Sequence, residues 1–233
     1  MKFKFFTIKL KNIIIFLCVV FICFASSMFV LLNRNVSFAS QPIGQKVVVI
    51  DAGHGGIDGG CVGKSTGVFE SDLNLSYALT LEKMFKDVGV TCVLTRRNNK
   101  GLYDEGAKSL KKSDMQKRKQ IIDNARPNAV VSIHMNSFPL ASARGAQAFY
   151  KLDSKIGEDL AVCVQKQLCS TLKNTNKKAQ VGDYYLVNCT DYPSVLVECG
   201  FVSNKEEEKL LQEKSYEKKL CYAIMCGVLD FFN

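Results

Sequence analysis

The sequence predicts a single α/β domain built on a mostly parallel, mixed sheet of about six strands flanked by helices. Three observations predict it. Short apolar runs of the kind buried on both faces of a sheet recur along the chain, as in "KVVVIDA" and "NAVVSIHMN". Between them lie longer segments whose apolar residues fall at helical spacing. No internal repeat or low-complexity tract interrupts this alternation, which is the pattern of strand–helix–strand units around a parallel sheet. At 233 residues the chain suffices for one domain with a substantial core.

Residues 1–40 stand apart. Lys2, Lys4, Lys9 and Lys11 precede an apolar run from Ile13 to Leu32, and the segment holds no acidic residue. Ser37 and Ala39 supply the small residues of a cleavage site after Ala39. The run is also about long enough to span a bilayer. The segment therefore reads either as a cleaved signal peptide or as an N-terminal membrane anchor. Both place residues 41–233 outside the cytoplasm, because the positive end stays inside.

The elements of 41–233 follow in order. Residues 46–52 are the first buried strand. A helix runs from Glu70 to Asp87, with Tyr77, Ala78, Leu81, Met84, Phe85 and Val88 at helical spacing and Gly89 as its stop. "VTCVLTR" (90–96) is a strand, and the polar, lysine-rich stretch 97–113 reads as a loop. A helix over 114–124 leads to the strand 128–136, and "GAQAFYK" (145–151) is a further strand. A long helix (154–173) and a basic loop (173–183) precede strands "YYLVN" (184–188) and "SVLVECG" (194–200). Ser215 is placed to cap a last helix bearing Leu220, Ile224, Val228 and Phe231.

Charge excludes one function class. The net charge is +9, but without residues 1–40 the chain has 26 basic against 22 acidic residues, about +4. That is a mildly basic domain, not the profile of a nucleic-acid binder. Of ten cysteines, Cys18 and Cys23 lie in the N-terminal apolar run. The other eight show no C-x-x-C pairing and sit mostly within apolar segments, so they read as small buried hydrophobes rather than a disulfide framework.

The chain has only two histidines, His54 and His134, and each closes an apolar strand. Ligands gather beyond the carboxyl ends of parallel strands, so two such tips can converge on one point. A third strand, "SVLVEC", presents Glu198 in the same fashion, and an acid after an apolar run is costly unless it is used. Two imidazoles and one carboxylate are a ligand set for catalytic zinc, with a position open to water. The residues alone do not sort the acids. Asp51, Asp58, Glu70 and Glu198 can each serve as ligand or base. Asp51 suits the orienting of an imidazole from behind, and Glu70 suits a helix start on dipole grounds alone. "GGCVGKST" (59–66) looks like a phosphate-binding loop, but Asp58 occupies the place of its first glycine and no strand runs directly into it.

Five segments in order, "VVIDAGHGGIDGG", "GVFESDLNLSYALTLEKMF", "VTCVLTR", "VVSIHMNS" and "PSVLVECGFVSNKEEEKLL", resemble the zinc-dependent N-acetylmuramoyl-L-alanine amidases of the Amidase_3 family. The resemblance runs from about Lys46 to the C-terminus. It implies that His54, Glu70 and His134 hold zinc, that Glu198 is the catalytic glutamate, and that the bond cleaved joins muramic acid to the L-alanine of the stem peptide. Cys199 stands where the family usually has leucine and is expected to face the core. Within the family the short architecture, with an N-terminal export segment and no wall-binding repeats, is most like the spore-cortex amidases of the CwlD type. That likeness implies action in the cell wall or forespore intermembrane space, stem-peptide removal before muramic-δ-lactam forms during sporulation, a bearing on germination, and a possible lipoprotein activator. Alternatives are an exported zinc peptidase or deacetylase acting on wall material, and a non-catalytic wall-binding protein. The lysines of 108–119 and 173–178 read as solvated faces, or as contacts to anionic wall polymers or a partner.

Overall fold

The run Val47–Ala52 forms strand β1 because its side chains alternate between two apolar layers. Val48, Ile50 and Ala52 enter one core and Val49 the other. The structure, a computed structural model, describes Val20, Phe21 and residues 46–233. Apart from Val20 and Phe21, the segment read as signal peptide or anchor lies outside the described residues, as does the cleavage site after Ala39. No helix among the described residues is long and apolar enough to cross a membrane.

After β1 come α1 (Glu70–Asp87), β2 (Thr91–Leu94), α2 (Leu110–Ala125), β3 (Ala129–Asn136), β4 (Gln147–Tyr150) and α3 (Lys155–Leu172). Then follow β5 (Gln180–Val181), α4 (Tyr185–Asn188), β6 (Ser194–Phe201), α5 (Lys205–Leu211) and α6 (Lys214–Phe232). The six strands make one sheet in the order β2-β1-β3-β6-β4-β5. All neighbours are parallel except β4 and β6, which run antiparallel. The architecture is the mostly parallel mixed α/β sheet that the alternation predicts.

Helices cover both faces. On one, Leu81 and Phe85 of α1, Leu160 and Leu168 of α3, and Leu220 and Ile224 of α6 close over Val48, Ile50 and Val131. Each such buried side chain contributes on the order of 1.5–3 kcal/mol. Helices α3 and α6 approach closely because Gly227 has no side chain: a Cβ there would lie 2.4 Å from Val164 Cα. On the other face Ile122 of α2 and Leu186 of α4 pack on Val49 and Val130.

Four local expectations differ from the structure. "YYLVN" is not a strand; Tyr185–Asn188 is the short helix α4. A run of four apolar residues, Tyr184 to Val187, does not separate strand from helical turn by periodicity. Both neighbours of β6 in the sheet are already taken, and Leu186 instead roofs the smaller core. The sixth strand is Gln180–Val181, within the stretch read as a basic loop, and both its residues are exposed. Helix α2 begins at Leu110, inside the stretch read as loop, because the Ser109 side chain accepts from Lys112 N. Helix α6 starts at Lys214, so Ser215 lies within its first turn and does not cap it. The eight cysteines of 46–233 are unpaired; Cys199 and Cys221 are buried and the other six partly so.

Candidate metal centre

Strands β1, β3 and β6 are consecutive in the sheet and parallel, so their carboxyl ends share one edge. Neighbouring strands lie about 4.8 Å apart, which brings side chains from all three within reach of one centre. His134 and Glu198 are register partners on β3 and β6. Both strands run a few residues past them, so these two groups sit inside the strands rather than at their tips.

His54 follows β1 in a left-handed turn, φ 60°. For a residue with a Cβ such a conformation costs on the order of 1–3 kcal/mol and persists only where surroundings enforce it. Two buried arginines enforce it here. Arg118 donates to His54 O at 2.6 Å, Ala52 O at 2.8 Å and Asp51 Oδ1 at 2.6 Å. Its Nε also meets Asp114 Oδ2 at 2.6 Å. Arg96 donates to Ala52 O and Gly53 O, each at 2.9 Å, and to Ser71 O at 2.8 Å. Gly53 itself lets the His134 ring lie on the backbone, since a Cβ there would come within 2.3 Å of it.

Glu70, the first residue of α1, supplies the carboxylate that the two imidazoles share. Its Oε1 lies 2.9 Å from His134 Nδ1 and 3.2 Å from His54 Nε2. Met135 N and Asn74 Nδ2 also donate to Oε1, at 3.1 and 3.3 Å, and Cys61 N donates to Oε2 at 2.9 Å. One donor atom from each of His54, Glu70 and His134 lies within 4.8 Å of the others. Ligands about 2.1 Å from a tetrahedral zinc sit about 3.4 Å apart, so this set has the spacing and the chemistry for such an ion.

The electrostatics also call for positive charge. Burial alone would lower the His54 pKa, but the Glu70 carboxylate, then Asp58, raise it to about 9. Burial alone would raise Glu70, yet the two imidazoles hold it well below the ordinary carboxylate range. A cation among these atoms satisfies what a shared proton satisfies in its absence.

The other acids sort by their contacts. Asp51 touches neither imidazole: burial pushes its pKa up, but Arg118, with Ser132 and Thr95, holds it below the usual value. Its orienting role is thus toward Arg118 and the β1 turn. Asp58 takes the role suggested for Asp51, with its Oδ1 2.9 Å from His54 Nδ1. That approach is not aligned well enough to count as a hydrogen bond to the ring. Glu198 is 7 % exposed, and its Oε2 has no hydrogen-bond partner. Burial raises its pKa to about 7; Glu70 adds to this, while the imidazoles and Lys177 oppose it. Cys199 is buried in the core, its Sγ near Val197 O at 3.7 Å, and does not face the imidazoles' shared centre. The phosphate-loop lookalike does bind an anion, but an internal one: Ser65 N and Thr66 N donate to the Glu208 carboxylate.

Reading by residue type missed Arg96, Arg118 and Asn74. Only Arg118 left a trace in the sequence, as the one arginine of a lysine-rich helix.

A mixed α/β sheet on which two imidazoles meet a helix-borne carboxylate beside a buried glutamate is an arrangement suited to metal-assisted hydrolysis. Residues 48–230 match the Amidase_3 family of N-acetylmuramoyl-L-alanine amidases, and the chain belongs to this family. It is similar to the germination-specific N-acetylmuramoyl-L-alanine amidase of Bacillus subtilis (strain 168), with 33 % identity over 198 residues and 83 % of each chain covered. Among solved structures it is similar to the CwlD amidase from Clostridioides difficile in complex with the GerS lipoprotein. There the TM-score is 0.77 and the identity 36 %, covering 80 % of this chain and 98 % of that one. The catalytic domain of CwlV, an N-acetylmuramoyl-L-alanine amidase from Bacillus (Paenibacillus) polymyxa var. colistinus, gives a TM-score of 0.71 at 29 % identity, covering 80 % and 97 %. The enzyme is an N-acetylmuramoyl-L-alanine amidase, a peptidoglycan hydrolase.

Proposed function

We propose that this amidase acts through zinc held by His54, Glu70 and His134, with Glu198 as catalytic base, on peptidoglycan of the spore cortex. One observation carries the catalytic part: three donor atoms meet beside a buried glutamate whose Oε2 has no partner. Zinc bound by the three supplies Lewis-acid polarisation of the scissile carbonyl and of a water. Glu198, poised near neutral pH by burial, accepts the proton of the attacking water and returns it to the departing amide nitrogen. The C–N bond then breaks, leaving a lactyl carboxylate on the sugar and a free amine on L-alanine. Arg118 and Arg96 hold the 52–54 carbonyls so that His54 keeps its angle throughout.

Likeness to a germination-specific amidase and to CwlD supports the cortex role and muramic-δ-lactam formation. The CwlD structure contains a lipoprotein, which supports a lipoprotein partner here too. Residues 41–233 are the catalytic domain, delivered outside the cytoplasm by residues 1–40 as signal peptide or anchor.

The test is mass spectrometry of muropeptides after incubating peptidoglycan with the purified enzyme, with and without chelator. Intact stem peptides with a free L-alanine amine are expected, lost with chelator and restored by zinc. Shortened stem peptides would indicate a peptidase, and loss of acetyl groups a deacetylase.

A further inference from the structure

The lysines of 108–119 are not alike. Lys117 pairs with Asp104 at 3.2 Å and Lys119 with Asp123 at 2.6 Å, both as ordinary surface pairs. Lys111 enters no ion pair among the described residues, and it lines both cavities that open beside His54, of about 310 and 230 Å³. The smaller cavity also carries His134, so Lys111 and both imidazoles border the same space.

The other charges of these cavities are already engaged. Arg118 is occupied by Asp51, Asp114 and two backbone carbonyls. Asp114 is held by that arginine and by Leu102 N, Asp58 lies against His54, and Asp183 accepts from Asn188. Lys111 is thus the cation of these cavities with no carboxylate at ion-pair distance among the described residues, although its charge reaches Asp58 and, after His54 and against burial, helps to lower that carboxyl's pKa. Its flexible stem suits a point contact with an anion.

The substrate class offers one matching anion beside the scissile bond. In a stem peptide L-alanine is followed by D-glutamate joined through its γ-carboxyl, which leaves the α-carboxylate free. An extended residue spans at most about 3.3–3.6 Å, so this group sits roughly 7 Å from the scissile nitrogen. We propose that Lys111 binds the α-carboxylate of the second stem-peptide residue and so fixes the direction in which the peptide enters the cleft. This rests on the amidase reading above.

The test uses the full-length enzyme and two matched muropeptides, differing only in a free α-carboxylate or an α-carboxamide on the second residue. The wild type is expected to show a KM about 5–10-fold lower for the carboxylate form, in the range of a partly exposed charge-assisted contact. Lys111→Met should raise KM for that form by the same factor, leave kcat unchanged, and erase the preference; Lys111→Arg should restore it. Equal KM values for both substrates in the wild type, unmoved by Lys111→Met, overturn this proposal while leaving the amidase intact. Cleavage of neither substrate by the wild type overturns both. Because Lys111 is exposed, loss of fold does not confuse the result.

Discussion

Glu70 and Glu198 are both buried glutamates at one edge of one sheet, 2 % and 7 % exposed, and their surroundings push them in opposite directions. Glu70 receives two backbone N–H groups and the Asn74 amide, and lies against two imidazoles, so it stays ionised. Glu198 has an oxygen with no partner, and burial lifts its pKa to about 7. On the function proposed above, the difference teaches how one residue type fills two offices. A carboxylate already ionised and pinned is a ligand; one that holds its proton loosely near neutrality can move it.

The strongest way to break this contrast is to neutralise each acid in turn. On the proposed zinc site, Glu70→Gln should release the metal and abolish turnover together, bound metal falling from the one per chain expected of the wild type to none. Glu198→Gln should keep its metal and lose on the order of 10²–10⁴-fold in kcat, the usual span for a missing acid–base group. Metal analysis beside an activity assay reads both. If Glu198→Gln lost the zinc and Glu70→Gln kept it, the two roles would be exchanged.

This contrast was only half legible in the sequence. Each strand that brings His54, His134 and Glu198 to one edge announces itself as an apolar run, because a parallel strand is buried on both faces. The arrival of Glu70 did not, since an acid at a helix start is ordinary and only the five-segment resemblance marked it. The orienting role read for Asp51 falls to Asp58 instead. Their separation depends on Arg118, 67 residues beyond Asp51, reaching from α2 to claim that carboxylate. Strand β5 was illegible for a similar reason: Gln180 and Val181 have no apolar pattern, and pair only because β4 offers an open edge.

A smaller effect sharpens the comparison through stability. An unfolded chain gives up the Glu198 proton near its ordinary value of 4.5, whereas the folded chain holds it to about 7. In metal-free protein this contribution is therefore fully present below pH 4.5 and is lost as pH rises through 7. Glu198→Gln removes the dependence. Metal-free Glu198→Gln should exceed the wild type at pH 8 by up to about 3 kcal/mol, from 1.36 kcal/mol per pKa unit, with the gap closing toward pH 4.5. Denaturant melts at the two pH values measure it. A gap that is the same at both would mean that burial of this carboxyl does not set its pKa.

The smallest effect concerns what stands behind a ligand. Asp58 faces His54 Nδ1 from the side opposite Nε2, the arrangement by which a carboxylate fixes a ligating imidazole. Such partners are usually worth 10–100-fold in metal affinity. Two features place Asp58 at the low end: its side chain is 43 % exposed, and its approach to the ring is poorly aligned. Moreover, Arg118 already holds the His54 carbonyl, and Arg96 those of Ala52 and Gly53 just before it. Asp58→Asn should therefore weaken zinc binding about 10-fold in competition with a chromophoric chelator, and leave kcat of the zinc-loaded enzyme near that of the wild type. No change in affinity would assign the ring's orientation wholly to the arginine clamp. A loss beyond 100-fold would make Asp58 a participant in the metal site itself.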